Sequence, residues 1–264
     1  MKKSTTLKDI ARATGVHVST VSRALTPNGG ASLSQEVVER IRKAAEAMDY
    51  RPNRLASGLR TSRTMTVGVM IPDITNNLFP PIVRGIEGFL EPNGYASILV
   101  NTDNDIAREQ RLMDVLRERG VDGVINAAVR ADDGQMERFA AGLPVVTVNR
   151  KVENSTIPSV ISDDVGGVRM MVHRLAKLGH RRIGHVAGPA DLSTGVDRRA
   201  AFETAMRTLG HDAPARLVVT ASYYTEAEGA RCADLLLDRD EGVTAILCAN
   251  DRLALGALEA LRAR

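Results

Sequence analysis

The sequence has little cysteine: Cys232 and Cys248 are its only two among 264 residues. They match neither a CxxC pair nor the spacing of zinc ligands, so we expect two buried, reduced thiols rather than a metal site. No apolar run approaches the length of a membrane span. The opening residues MKKSTTLKD also lack the apolar stretch of a secretory signal. Together these absences predict a cytoplasmic protein.

The sequence also lacks the motifs that mark many enzymes. It has no P-loop, no dinucleotide-binding glycine fingerprint, no nucleophile elbow and no cluster of metal ligands. A sugar kinase, for example, would need a loop that grips phosphate. The sequence therefore favours a binding protein that is not an enzyme and uses no cofactor and no metal.

Positive charge is unevenly distributed along the chain. Residues 1–64 carry twelve Lys or Arg and five Asp or Glu, a net charge of +7, whereas the whole chain carries +3. The rest of the chain therefore sums to −4. A basic head on a mildly acidic body is typical of a protein that binds nucleic acid, although charge alone equally allows a solvated surface.

The pattern of residues 1–50 predicts a small all-α domain. We expect helices to begin after Thr6, near Val18 and after Ser34, with a tight turn at Gly15. A helix, a tight turn and a second short helix form a helix-turn-helix, which places its second helix in the major groove of DNA. An arbitrary helical hairpin is the alternative interpretation.

From residue 65 onward, short β-branched runs alternate with amphipathic helices. Such alternation predicts an α/β fold with parallel sheets. The predicted strands are Thr66–Ile71, Ala96–Asn101, Gly123–Ala127, Val145–Asn149, Ser159–Ser162, Arg182–Ala187, Leu217–Thr220 and Thr244–Cys248.

Leu7–Leu25 (LKDIARATGVHVSTVSRAL) resembles the DNA-binding head of the LacI family of bacterial repressors. The resemblance continues through residues 50–56 (YRPNRLA) and along the core. It implies a base-reading role for Val18, Ser19 and Arg23, and phosphate contacts or support of the recognition helix for Thr6, Thr20 and Ser22. His17, which stands where the family commonly has Ser, is expected in the same interface. The loop 26–33 is longer than the corresponding loop of the family, so the family's loop contacts to DNA are not assigned to this chain.

Asn53–Leu59 resembles the hinge helix of the family. Seven residues that include Gly58 make a marginal helix, because helix nucleation is unfavourable and glycine costs about 1 kcal/mol relative to alanine. We expect it to form only against its twin in a dimer on DNA, where Leu59 would wedge into the minor groove. The DNA contacts implied here are Asn53, Arg54, Ala56 and Leu59. A flexible linker is the alternative.

The resemblance implies a two-lobed core like that of periplasmic binding proteins. It predicts a head at 1–50, a hinge and linker at 51–64, and a core at 65–264 divided into lobes 65–162 and 163–264. A small-molecule effector, most simply a sugar but also a purine or nucleoside, would bind between the lobes. The effector-binding residues would be Phe79, Asn149, Arg150, Arg198, Tyr224, Asn250 and Asp251. Each of these residues has a structural alternative, as a core phenylalanine, a surface residue or a helix cap. His180 and His185 are expected to pack or to cap helices rather than to bind metal.

The predicted function is therefore a transcriptional regulator, acting as a homodimer on a near-palindromic operator. A stand-alone solute receptor with the same core would need a signal peptide and would have no use for residues 1–60. Residues 251–261 resemble a dimer-forming helix of the family, with core packing as the alternative. Because family members continue beyond the position of Arg264, we expect a C-terminally incomplete core with apolar sheet edges. The alternative function is then a truncated DNA-binding regulator that no longer senses an effector.

Overall fold

The computed structural model describes residues 5–26, 32–50, 63–211, 214–239 and 242–264. The chain divides into two compact units, residues 1–64 and residues 65–264. Within the described ranges, every helix is too short or too polar to span a lipid bilayer.

The first unit contains the three helices that the sequence predicts. They are α1 (Leu7–Thr14), α2 (Val18–Leu25) and α3 (Gln35–Ala47). Ile10, Val21 and Ile41 contribute one fully buried side chain from each helix to a common apolar core. Burying one side chain of this size stabilises the folded state by about 1.5–3 kcal/mol. One such residue from each helix therefore holds the three helices together.

The turn between α1 and α2 is specified by local sequence. Thr6 and Asp9 form a capping box at the start of α1, in which each side chain accepts from the backbone N–H of the other residue. Gly15 ends the helix with φ of 69°, a left-handed conformation that is unfavourable for residues with a Cβ atom. This turn fixes where α2 begins.

The first sheet of the second unit has five parallel strands in the order β2-β1-β3-β4-β5. The strands are β1 (Thr66–Ile71), β2 (Ala96–Asn101), β3 (Gly123–Asn126), β4 (Val145–Val148) and β5 (Ser159–Val160). The helices between them are α4 (Phe79–Leu90), α5 (Ile106–Glu118) and α6 (Gly134–Ala140), and a short 3₁₀ turn, Glu91–Asn93, follows α4. We call this part the first lobe.

The second sheet has three parallel strands in the order β7-β6-β8. They are β6 (Ile183–Ala187), β7 (Val218–Thr220) and β8 (Ala245–Cys248). Around them lie α7 (Asp164–Lys177), α8 (Ser193–Thr208), α9 (Glu226–Arg239) and α10 (Asp251–Ala263), with a 3₁₀ turn at Ala215–Leu217. We call this part the second lobe. The α/β fold with parallel sheets is confirmed, and each observed strand lies within one or two residues of its predicted bounds.

The two histidines of the segment 178–189 have packing and hydrogen-bonding contacts. His185 lies in β6 with no exposed surface and stacks on Phe202 at 4.5 Å between ring centroids. The Nδ1 atom of His180 is 3.0 Å from the hydroxyl of Thr244. These positions agree with the structural role that the sequence predicts for both.

Parallel strands direct all their carboxyl ends to one edge of a sheet. Strand order changes direction around β1 in the first lobe and around β6 in the second. The loops that leave such strands diverge and form the crevice in which α/β proteins bind ligands. Both sheets therefore supply residues to a shared cleft. In the second sheet β8 pairs with β6, and the described residues place no strand on its other side; the expected C-terminal incompleteness of the core stays a prediction.

Candidate recognition helix and ligand cleft

Helix α2 divides its residues between the head's core and solvent. Val21 is fully buried and Ala24 nearly so, whereas His17, Ser19 and Arg23 are exposed. Ser19 and Arg23 are four residues apart, so they share one face of the helix, and His17 lies at its N-terminal end. An amphipathic helix of this kind can present a polar face to DNA without disturbing the core that holds it.

His17 caps the start of α2. Its Nδ1 accepts from the backbone N–H of Ser19 at 3.3 Å and lies 2.8 Å from the Ser19 hydroxyl. An imidazole thus fulfils the capping role for which serine is commonly used. The contact also holds the Ser19 side chain at the exposed N-terminal end of the helix.

Arg23 is exposed and makes no ion pair among the described residues. The other basic side chains described in α1 and α3 are also exposed, and they are Lys8, Arg12, Arg40, Arg42 and Lys43. A guanidinium that no carboxylate occupies is available to grip guanine O6 and N7 together.

The remaining predicted head residues have mixed positions. Val18, Thr20 and Ser22 are half-buried along α2. The Thr6 hydroxyl, by contrast, donates to the Asp9 carboxylate at 2.7 Å within the capping box. Asn53, Arg54, Ala56 and Leu59 lie outside the described residues, so their predicted hinge contacts stay predictions.

All seven predicted effector residues line one cavity of about 950 Å³ between the two lobes. They are Phe79, Asn149, Arg150, Arg198, Tyr224, Asn250 and Asp251. Family resemblance thus identified residues that are far apart in the chain and close together in space. Their binding of an effector stays a prediction.

Arg198 is held in this cavity by three hydrogen bonds. Its Nε and Nη2 atoms donate to one carboxylate oxygen of Asp164 at 3.0 and 2.8 Å, and its Nη1 donates to the Ala249 carbonyl at 2.8 Å. Because the pair is only partly exposed, these bonds fix the guanidinium in place. A fixed, charge-balanced guanidinium is well suited to hydrogen-bond the hydroxyls of a neutral ligand.

Two aromatic side chains border the cavity. Phe79, at the start of α4, is 1% exposed and also packs in the first lobe's core with Val69 and Ile71. Tyr224 donates its hydroxyl to Thr194 Oγ1 at 3.2 Å, and burial raises its pKa. Its ring lies so close to Gly188 that a Cβ atom there would collide with it. Glycine after β6 is therefore what allows Tyr224 to reach the cleft.

The three other predicted residues have structural duties as well. Asn250 caps α10, accepting from the Leu253 N–H at 3.0 Å. Asp251 is exposed and accepts from the Arg252 N–H at 2.9 Å. Asn149 follows β4 with φ of 65°, a left-handed conformation that asparagine tolerates better than most residues. These residues therefore have local structural roles and also line the cleft.

Arg150 differs from the other polar residues because it is buried, with 6% of its surface exposed. Its Nη1 donates to the Ala128 carbonyl at 3.3 Å, and its buried Nε has no hydrogen-bond partner among the described residues. Burial lowers the pKa of its guanidinium to about 10, so the group is still charged near neutral pH.

The sequence did not reveal the ion pairs that connect the lobes. Arg130 of the first lobe pairs with Asp191 of the second, and Arg252 of the second lies 3.8 Å from Asp73 of the first. These residues line a smaller cavity of about 110 Å³ that Arg150, Phe79 and Tyr224 share with the larger one. Such pairs depend on how the lobes meet, which no local pattern encodes.

Asp164 was also missed, although a signal for it exists. It comes shortly after β5, at the carboxyl end of a parallel strand, as Asn250 does after β8. Applying the same rule to both strands would have placed Asp164 at the cleft. Within the described residues, no group of three His, Cys, Asp or Glu side chains is positioned to hold a metal ion.

The head and the core each match a family model. Residues 6–53 match bacterial regulatory proteins of the lacI family, and residues 64–264 match periplasmic binding proteins and the sugar binding domain of the LacI family. HTH-type transcriptional regulator RegA of Clostridium saccharobutylicum is 32% identical over 261 residues, which is 98% of this chain and 78% of the relative.

Two solved structures extend the similarity to the fold. A transcriptional regulator CelR–cellobiose complex is 31% identical with a TM-score of 0.69, over 98% of this chain and 78% of that one. A lac repressor dimer bound to operator and the anti-inducer ONPF is 25% identical with a TM-score of 0.84, over 99% of this chain and 78% of that one. A helix-turn-helix head with a two-lobed ligand-binding core defines a DNA-binding transcriptional regulator. This chain belongs to the LacI family of bacterial regulators.

Proposed function

We propose that the cleft between the lobes binds a small polar effector, a sugar in the first instance, and that the bound effector controls DNA binding by the head. The observation that carries this proposal is the Arg198–Asp164 pair, held rigidly at a cavity large enough for such a ligand. The CelR relative of similar sequence was solved with cellobiose, which supports a sugar over a purine.

For the head, we propose that α2 is the recognition helix. Ser19 and Arg23 would contact base edges, with Val18 against them, because Ser19 and Arg23 lie on the exposed face. His17, Thr20, Ser22 and Thr6 would contact phosphates or hold the helix against the backbone. Asn53, Arg54, Ala56 and Leu59 would add minor-groove contacts at the operator centre.

The acting form would be a homodimer on a near-palindromic operator. The lac repressor relative was solved as a dimer on its operator. In this chain α10 exposes Leu255, Leu258 and Leu261, each at least 44% exposed. An apolar helix face of this kind is suited to association with a second copy. We assign no enzymatic activity, and expect the protein to act in the cytoplasm, where bacterial DNA lies.

Control by effector would be a population shift between two arrangements of the lobes. The ion pairs Arg130–Asp191 and Arg252–Asp73 cross the cleft, so their geometry depends on how far the lobes close. A ligand that contacts both lobes favours the arrangement in which both sets of contacts are made. Its differential affinity for the two arrangements sets how strongly DNA binding responds.

Thermal-shift measurements on the full chain test this proposal. The chain would be screened against neutral pentoses, hexoses and disaccharides, and against purine bases and nucleosides. A true effector at one hundred times its Kd stabilises the protein by about 2.7 kcal/mol, which is a shift of several degrees in Tm.

Neighbouring arginines provide a matched pair of variants. Arg198→Ala should abolish the shift caused by the best ligand, because its guanidinium lines the cavity. Arg199→Ala should keep the shift, because Arg199 is exposed and pairs with Glu203 on the same helix. If no sugar and no purine shifts Tm while the chain still binds DNA specifically, a DNA-binding regulator that senses no effector is favoured instead.

A further inference from the structure

The arginines of the cleft differ in how their charge is balanced. Three of them are each paired with a carboxylate: Arg130 with Asp191, Arg198 with Asp164 and Arg252 with Glu226. Arg150 is the most deeply buried of the four, yet it has no carboxylate partner among the described residues. Its buried Nε also lacks any hydrogen-bond partner there.

Asp191 and Glu109 lie close enough to act on the charge of Arg150, but neither forms an ion pair with it. A buried cation that no carboxylate contacts directly is costly to the folded protein. Removing a guanidinium from water is unfavourable unless a counter-charge and hydrogen bonds replace the lost solvation. One bond to the Ala128 carbonyl at 3.3 Å replaces little of it. A guanidinium that lacks an ion pair and most of its hydrogen bonds at a ligand cavity indicates that the ligand supplies both.

The smaller cavity beside Arg150 favours a negative ligand group, because three arginines and two aspartates line it. The larger cavity, by contrast, is lined by three arginines and four carboxylates. Arg150 lines both the 110 Å³ and the 950 Å³ cavities. Helix α8 begins beside them, since Leu192 lines the smaller cavity and Thr194 the larger. Its N-cap residue, Leu192, provides no side-chain cap. The positive end of a sixteen-residue helix therefore adds to the positive charge of Arg150.

We propose that the effector carries an anionic group, a phosphate monoester or a carboxylate, and that Arg150 binds this group. The inference rests on the proposed function, because it takes the cleft as the effector site. Asp73 and Asp191, which also line the smaller cavity, are engaged with Arg252 and Arg130. With the balanced Arg198–Asp164 pair free to bind hydroxyls, the ligand class is an acidic sugar.

The unliganded protein gives a first test. Arg150→Met removes a buried charge that has no ion-pair partner and should leave Tm unchanged or raise it. Arg198→Met should lower Tm, because it leaves the Asp164 carboxylate without its partner. A loss of Tm in Arg150→Met as large as that in Arg198→Met would mean that Arg150 serves the fold, and would overturn the inference.

Inorganic phosphate is a probe that needs no knowledge of the effector. The full chain would be melted in phosphate and in chloride at equal ionic strength. Phosphate should raise Tm more in the wild type and in Arg119→Gln, an exposed charge-matched control, than in Arg150→Gln. Equal phosphate effects in all three proteins would contradict the proposal.

A ligand panel then separates the two anion sources. Hexose and pentose monophosphates form one arm, uronates and aldonates the second, and neutral parent sugars the third. The acidic member should bind about ten- to a hundredfold more tightly than its neutral parent, and Arg150→Gln should remove that preference. Whichever acidic arm binds identifies the group.

The outcomes distinguish failure of this inference from failure of the proposed function. A neutral sugar that binds as tightly as its acidic counterparts, equally in wild type and Arg150→Gln, overturns the inference and leaves the proposed function standing. If neither phosphate nor any sugar of the three arms shifts Tm, the inference is contradicted. The proposed function is contradicted as well when purine bases and nucleosides also cause no shift.

Discussion

At the scale of single residues, His185 connects burial to pH. Its imidazole is fully buried, and its Nδ1 lies 2.8 Å from the Leu247 carbonyl. Burial lowers its pKa to about 4, so the ring is neutral in the folded protein. In the unfolded chain a histidine takes up a proton near pH 6.5. The stability linked to His185 is therefore present above about pH 6.5 and is lost as pH falls toward 4.

The corresponding prediction concerns His185→Phe. A shift of this size is equivalent to about 3 kcal/mol, so the free energy of unfolding of the wild type should fall by up to that amount between pH 6.5 and 4. Phenylalanine can stack on Phe202 and takes up no proton, so the variant should lose less stability across this range. Denaturant unfolding at several pH values measures the slope, with His211→Gln as the control. The same acid dependence in His185→Phe and wild type would contradict the assignment.

At the scale of elements, the sequence predicted what short-range chemistry decides. The caps of α1 and the turn before α2 follow from Thr6, Asp9 and Gly15, which act on backbone groups a few residues away. The strands of both sheets follow from β-branched runs between helices. Each of these patterns acts on the backbone nearby, so the element it predicts can be identified without knowing the tertiary structure.

The recognition helix has its own prediction. Arg23→Ala should weaken binding to the specific site by about 1–3 kcal/mol and relax the preference at one base pair, because it removes a side chain able to grip guanine. Lys43→Ala, which removes an exposed charge paired with Glu39 on α3, is the control and should not change base preference. Competition binding against single-base-pair variants of the site measures both. An equal loss on specific and random DNA would show that Arg23 grips phosphate only.

At the scale of the whole molecule, the sequence predicted the cleft residues only through family resemblance. Arg198 and Tyr224 were identified in this way, whereas the partner of Arg198 and the ion pairs between lobes were not. Asp164 lies thirty-four positions from Arg198, and Asp73 is further still from Arg252. Whether such groups meet is decided by how the two sheets pack. That Arg150 is buried without an ion pair likewise becomes visible only when its neighbours in space are known.

The central claim is that the basic head gives the chain sequence-specific DNA binding. Selection from a random duplex pool, followed by affinity measurements on the enriched site at several salt concentrations, tests it most directly. We predict a near-palindromic site whose log affinity falls steeply and linearly with log salt as counterions are released, and no enrichment by residues 65–264 alone. Failure to enrich any site, or an affinity that stays flat from low to high salt, would contradict the claim.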